Sequence, residues 1–354
     1  MSAQTFNAAW LMSQEFEPIK YVVPGVIPEG MTLVVAAPKI GKSWLALGVA
    51  LGLSGGGMVL GHLPVGKPRP VLYLALEDGP RRLQDRLKHL GGYDATHRLE
   101  FIVNMGGDSV VQTIREYMAK YDGLDPVVIL DTLGKVMPAN NNGSQYQHDY
   151  QMLSALKATC DAVPGSSLLI VHHTRKHEAS DFLDAVSGTQ GIAGAADTVL
   201  LLSRERHDDT ATLQVTSRDA AEGEYRLRLT DVGKWEIEGA TLEDAAHAAQ
   251  TARATAGVGD HMAELIAVIA AHPNGVSTKD VTDALPEIRN VREYLRRALE
   301  AGRIRKLARG LYGPCDNRDF VTLPDHESHT VTNVTGGDDL IAAARIAWGF
   351  GENS

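Results

Sequence analysis

The segment that most constrains this chain is AAPKIGKSWLAL, residues 36–47, where Gly-Lys-Ser stands between the apolar run MTLVVAA and an amphipathic stretch. A strand that turns abruptly into a helix aims successive backbone N–H groups at one point. The helix start adds the positive end of its dipole, so the turn is suited to phosphate. In such a loop Lys42 reaches the outer phosphates and the Ser43 hydroxyl binds Mg²⁺ beside them. The residues expected to line a bound nucleotide are Ala36, Pro38, Lys39, Ile40, Gly41, Lys42, Ser43 and Trp44. Ala36 replaces the usual first glycine and Pro38 offers no N–H, which leaves the match one residue short of the full pattern.

The surrounding sequence alternates buried strands with helices. MTLVVAA, PVLYLAL, LEFIVN, PVVILD and SSLLIVHH are separated by helical stretches such as GPRRLQDRLKHLGG and YQMLSALKATCDAV. Continuous apolar runs suit strands covered on both faces, and helices between them are the crossovers of a parallel sheet, so the fold class is α/β. Ligands bind such sheets at the carboxyl ends of the strands. VVILDTL ends there with Asp131, the expected acidic partner of Ser43 at Mg²⁺. VLYLALED ends there with Glu77 and Asp78. Glu77 is the candidate to orient the attacking water, and strand alternation makes Asp78 the weaker choice. LLIVHH ends with His172 and His173, either of which can sense a γ-phosphate by hydrogen bonding. His173 and His177 do not form a convincing metal pair, because no third ligand has suitable spacing.

After this strand comes a long polar, glycine-rich stretch, TRKHEASDFLDAVSGTQGIAGAAD. Loops of this length inside a domain are commonly functional, and Arg175 and Lys176 make it a candidate DNA contact; a plain surface loop is the competing reading. TVLLLSRE, TATLQVTSR, YRLRLTDV and KWEIEG then read as strands that extend the sheet at one side. The first domain is expected to close at residue 239, followed by an alanine- and threonine-rich helical or partly flexible linker over 240–257.

The ordered set VPGVIPEGMTLVVAAPKIGKS, VLYLALED, VVILDTL, LLIVHH and SGTQGIAGAADTVLLL resembles the RecA-like ATPases of the RepA and DnaB type, which are plasmid and phage replicative helicases. The resemblance covers roughly residues 20–240. It implies a hexameric ring of identical subunits, ATP and Mg²⁺ as cofactors, Glu77 as catalytic carboxylate, His173 or its neighbour as sensor, and single-stranded DNA in the centre. It also implies a basic residue supplied by the next subunit. The stretch LQVTSRDAAEGEYRL carries that residue as Arg218, although Thr216 stands where relatives often have lysine. A recombination or strand-exchange ATPase, and an ATP-controlled DNA-binding regulator, share these features and remain as alternatives.

Residues 258–314 read as three helices and a hairpin and resemble a winged helix-turn-helix. Ser277 suits a helix N-cap, and Gly302 ends the third helix. Between Arg289 and Arg309 stand eight Lys or Arg against two Glu, in a chain whose net charge is -10. Such a contrast favours a phosphate-binding face, with Arg289, Arg292, Arg296, Arg297, Arg305 and Lys306 as candidates and duplex DNA as a second partner. Residues 315–354 read as a flexible acidic tail ending in an amphipathic helix, DLIAAARIAWGF, a candidate docking element for a replication or recombination partner. Two cysteines, Cys160 and Cys315, exclude a disulfide framework and fit a reducing compartment. No apolar run reaches the roughly 18 residues of a membrane span and no signal pattern opens the chain, so a cytoplasmic protein is expected.

Overall fold

The computed structural model describes residues 5–92, 97–137, 145–173, 194–205 and 208–315. All of them fall within one compact unit, Met1–Phe320. A short helix α1 (Ala8–Met12) precedes a small ladder, β1 (Tyr21–Val23) and β2 (Ile27–Pro28), and then β3 (Gly30–Ala36), which feeds the P-loop and α2 (Lys42–Gly55). A minor hairpin, β4 (Met58–Val59) and β5 (Leu63–Pro64), was not evident from the apolar pattern. It leads to β6 (Val71–Ala75), α3 (Pro80–His89), β7 (Leu99–Ile102), α4 (Val110–Lys120), β8 (Val127–Asp131), α5 (Gln145–Asp161) and β9 (Ser167–His173). β10 (Thr198–Ser203), β11 (Thr210–Ser217), β12 (Gly223–Leu229) and β13 (Trp235–Ile237) complete the large sheet.

That sheet has nine strands in the order β13-β12-β11-β10-β3-β9-β8-β6-β7. From β10 to β7 every pairing is parallel, whereas β10 to β13 are joined antiparallel. The inner parallel strands are buried on both faces, and the period of two shows in which core each residue joins. On β3, Val34 and Ala36 belong to one apolar cluster and Met31, Leu33 and Val35 to the other. β6, β8 and β9 divide likewise: Tyr73, Ile129 and Val171 face the α2 side, while Leu74, Leu130 and Ile170 face α4 and α5. β11 alternates buried and half-buried residues, as an antiparallel strand with one covered face does.

Beyond the sheet, α6 (Leu242–Thr255) occupies the segment expected as linker. It is a continuous helix begun by a capping box. The Thr241 hydroxyl accepts from Asp244 N at 3.1 Å, and Asp244 Oδ2 accepts from Thr241 N at 3.0 Å. Ala245 is buried in the core on the α2 side, and Arg253 pairs with Glu224 on β12 at 3.5 Å. A third, separate core lies in α7 (Asp260–Ala270), β14 (Val276–Ser277), α8 (Thr278–Ala284), α9 (Val291–Glu300), β15 (Ile304–Ala308) and β16 (Leu311–Pro314). The strands there pair in the order β14-β16-β15. Three helices and a hairpin are therefore present, with β14 added as a third strand. Ser277 caps α8 by accepting from Asp280 N at 3.2 Å. Arg303 donates to the carbonyls of Ala254 and Ala256, tying the β15 end to the close of α6. The expected terminal amphipathic helix lies outside the described residues.

Removing the capping hydroxyl with Thr241→Ala is expected to cost about 1 kcal/mol of α6 stability. Amide exchange across 242–255 should accelerate about fivefold, with β3 and β9 amides unchanged.

Candidate active site

The strand ends put the sequence candidates on one edge of the sheet. In register, Ala36 stands beside His173 on β9, and Asp131 stands between Ala75 of β6 and Val171 of β9. Lys42 opens α2 and is buried. Its Nζ donates to the carbonyls of Ala36 and Ala37 at 2.8 and 2.9 Å, so the loop folds round its own lysine. Burial brings the Lys42 pKa down to about 8, against smaller opposing pulls from Asp131 and Glu77. Gly41, at φ 114, and Lys39, at φ 68, make the left-handed turns that reverse the chain into the helix. The Trp44 side chain faces protein instead: the Arg86 guanidinium lies 5.5 Å from its ring centroid, and His89 meets its edge at 6.2 Å.

Asp131 is buried, and burial raises its pKa while hydrogen bonds from Tyr73 and Ser43 oppose the rise. The Tyr73 hydroxyl donates to Asp131 Oδ2 at 2.8 Å. Ser43 and Asp131, expected to share Mg²⁺, are thus already in contact. One hydroxyl and one carboxylate are hard oxygen donors too few to cage the ion alone. That fits Mg²⁺, which takes its other ligands from phosphates and water. Among the described residues no group of three His, Cys, Asp or Glu could hold a metal by itself.

The structure separates the paired candidates. Asp78 is held in ion pairs with Arg82, at 2.9 Å, and with Arg86, both on α3. Glu77 is half exposed, with Oε2 3.7 Å from His173 Nε2. The two histidines divide by strand parity. His173 continues the Leu169 and Val171 face toward α2, and His172 continues the opposite face. Among the described residues the buried Nδ1 of His173 has no hydrogen-bond partner. Tyr73 escaped the sequence reading because its motif neighbours end the strand while it sits mid-strand. The same parity that places Asp131 on the α2 side would have found it.

Arg218 is elsewhere. Ser217 pairs with Thr198, and Thr198 with Thr32, so Arg218 lies at the amino edge of the sheet. At about 3.3 Å per residue that is roughly 15–20 Å from the P-loop of the same chain. Its guanidinium donates to the Gly194 carbonyl at 3.2 Å. In the C-terminal module Arg289, Arg292, Arg296, Arg297 and Lys306 are exposed, and Arg305 is half-buried. Arg296 is paired with both Glu293 and Glu300, and Arg297 covers the Tyr294 ring. Arg175 and Lys176 lie outside the described residues.

Phosphate requires the charged form of Lys42, which is full below pH 8 and lost above it. ATP affinity should therefore fall about tenfold between pH 7 and pH 9, read by titrating a fluorescent nucleotide. A flat profile would show that Lys42 keeps its charge to pH 9 or does not meet phosphate.

A mostly parallel sheet, with the P-loop after a central strand and antiparallel strands added on one side, is the RecA-like α/β core expected from the sequence. Among solved structures the chain is similar to a DnaB-like replicative helicase (16% identity, TM-score 0.48, 58% of this chain and 57% of that one). It is also similar to a KaiC-like protein from the hyperthermophilic archaeon Pyrococcus horikoshii OT3 (12%, 0.46, 63% and 100%) and to the RadB recombinase (17%, 0.44, 61% and 92%). These likenesses are distant, and residue roles do not transfer across them. The family model of the AAA domain matches residues 2–179, just over half of the 354 residues. With its P-loop and acidic strand ends in place, the chain belongs to the AAA domain family and is a P-loop ATPase.

Proposed function

We propose that this ATPase is a DNA motor, a ring-forming replicative helicase acting on single-stranded DNA, whose active site is completed between subunits. The observation behind the proposal is the position of Arg218. It faces the amino edge of the sheet while Lys42, Asp131 and Glu77 face the carboxyl edge. A single subunit cannot bring Arg218 to its own P-loop, but a head-to-tail ring can bring it to a neighbour's.

In this reading Lys42 and the loop N–H groups hold the phosphates. Ser43 and Asp131 would hold Mg²⁺, which would supply positive charge against the phosphates. Glu77 orients the attacking water and accepts its proton as the bond to the γ-phosphorus forms and the bond to the bridging oxygen breaks. His173, beside Glu77, relays the state of the γ-phosphate to the loop that follows β9. Arg218 of the adjacent subunit offsets charge that develops on the transferred group. The basic face of the C-terminal module, a winged helix-turn-helix in this reading, meets duplex DNA through Arg289, Arg292, Arg297 and Lys306. Arg296, already paired twice, contributes less.

A forked DNA duplex supplies the test. Strand separation is expected with ATP and not with a non-hydrolysable analogue. Glu77→Gln should bind ATP normally but hydrolyse it at least about a hundredfold more slowly, because the residue acts on water in the transition state. DNA-stimulated hydrolysis without unwinding would reject the helicase and favour a strand-exchange ATPase or a regulator.

The intersubunit site has its own test. Mixing Arg218→Ala subunits with Lys42→Ala subunits should restore part of the hydrolysis that each lacks, since some interfaces then join an intact P-loop to an intact arginine. No recovery in proven mixed oligomers would place Arg218 outside the reaction.

A further inference from the structure

We infer that Trp235 is a positioning residue for the P-loop, one that sequence motifs do not reveal, an inference that rests on reading residues 36–43 as that loop. Trp235 begins β13, at the far antiparallel edge of the large sheet, and is buried. Its indole Nε1 donates to the Gly41 carbonyl at 3.1 Å across a separation of 194 residues. The same carbonyl accepts from Leu45 N at 3.0 Å, the first hydrogen bond of α2. A Cβ on Gly41 would come within 3.1 Å of the Trp235 ring. The indole therefore covers Gly41 as well as bonding to it.

The consequence follows from the peptide unit. The Gly41 carbonyl and the Lys42 N–H belong to one planar amide, so fixing the oxygen fixes the direction of the N–H. In a P-loop that N–H belongs to the set that meets phosphate. A donor on the carbonyl also polarises the amide and makes its N–H a better donor. Trp235 thus both aims and strengthens one phosphate contact without touching the nucleotide. The turn before β13 adds a reciprocal lock. A Cβ on Gly233, at φ 84, would fall 2.7 Å from the Trp44 ring, so the first turn of α2 packs directly on that turn. The Arg204 guanidinium, at the carboxyl end of β10, lies 5.7 Å from the Trp235 ring centroid and packs on the same indole.

This brace has a particular use here. The loop lacks the usual first glycine and one N–H, at Ala36 and Pro38, so less of its shape is specified by local sequence. A remote side chain supplies what the loop itself omits.

The test compares nucleotide binding by the wild-type chain, Trp235→Phe and Lys42→Ala. Phenylalanine keeps an aromatic cover over Gly41 and removes only the N–H. Losing one neutral hydrogen bond should weaken ADP and ATP binding by roughly 2–10-fold, raising KM while kcat stays within about twofold. Unchanged nucleotide affinity in Trp235→Phe, beside lost binding in Lys42→Ala, would overturn the brace and leave the P-loop reading intact. Retained binding in Lys42→Ala would instead overturn the P-loop reading itself. A second measurement needs no variant at Trp235. In the wild-type chain labelled at its indole nitrogens, ADP should shift the Trp235 Nε1–H resonance downfield as its acceptor amide is polarised, and the shift should vanish in Lys42→Ala. An indole resonance that ignores saturating ADP would also overturn the proposal.

Discussion

A parallel strand must be covered on both faces, and β3 meets that demand with a side chain for each of two cores. Val34 and Ala36 join the cluster under α2, and Met31, Leu33 and Val35 join the one under α4 and α5. Everything at the site descends from this arrangement. Because β3, β9, β8 and β6 run the same way, their carboxyl ends meet at one edge, and Ala36, His173, Asp131 and Glu77 arrive there together. Alternation then selects which side chains point to the P-loop face, and it selects Tyr73, Asp131 and His173.

Electrostatics at that edge depend on burial. A lysine held by its own loop carbonyls with its pKa near 8, and a carboxylate whose pKa is pushed up, are both poorly solvated charges facing one crevice. Buried charges without full compensation are costly, and ligands of opposite sign relieve the cost. In the proposed function, triphosphate would answer Lys42, and Mg²⁺ would answer Asp131 with Ser43. Both charges are held by neutral partners, the Ala36 and Ala37 carbonyls and the Tyr73 hydroxyl, and neither has a full counter-charge bonded to it. Asp78 differs, since Arg82 and Arg86 already pair with it.

The antiparallel strands carry two further residues of interest. At the amino edge, the turn from β11 toward β12 presents Arg218. At the other end of the same extension, β13 brings Trp235 to Gly41. α6 lies against β12 through Ala245 and the Arg253–Glu224 pair, and meets the C-terminal module through Arg303. One strip of sheet therefore touches the P-loop, the candidate intersubunit arginine and the helix leading to the basic module.

Much of this was legible from the sequence. Runs such as VVIL and LLIV identify strands covered on both faces, the Gly-Lys-Ser turn identifies the P-loop, and acidic residues at strand ends mark the candidate catalytic edge. These signals are local, spanning a few residues whose chemistry is set by backbone geometry. What only tertiary structure decided are pairings between distant segments: Tyr73 on Asp131, Arg86 on Asp78 and Trp235 on Gly41. Strand parity puts His173 and not His172 on the P-loop face, and the ion pairs of Asp78 with Arg82 and Arg86 distinguish it from Glu77. The physical reason is that a motif specifies which atoms a segment offers, whereas packing decides which of those atoms are already taken.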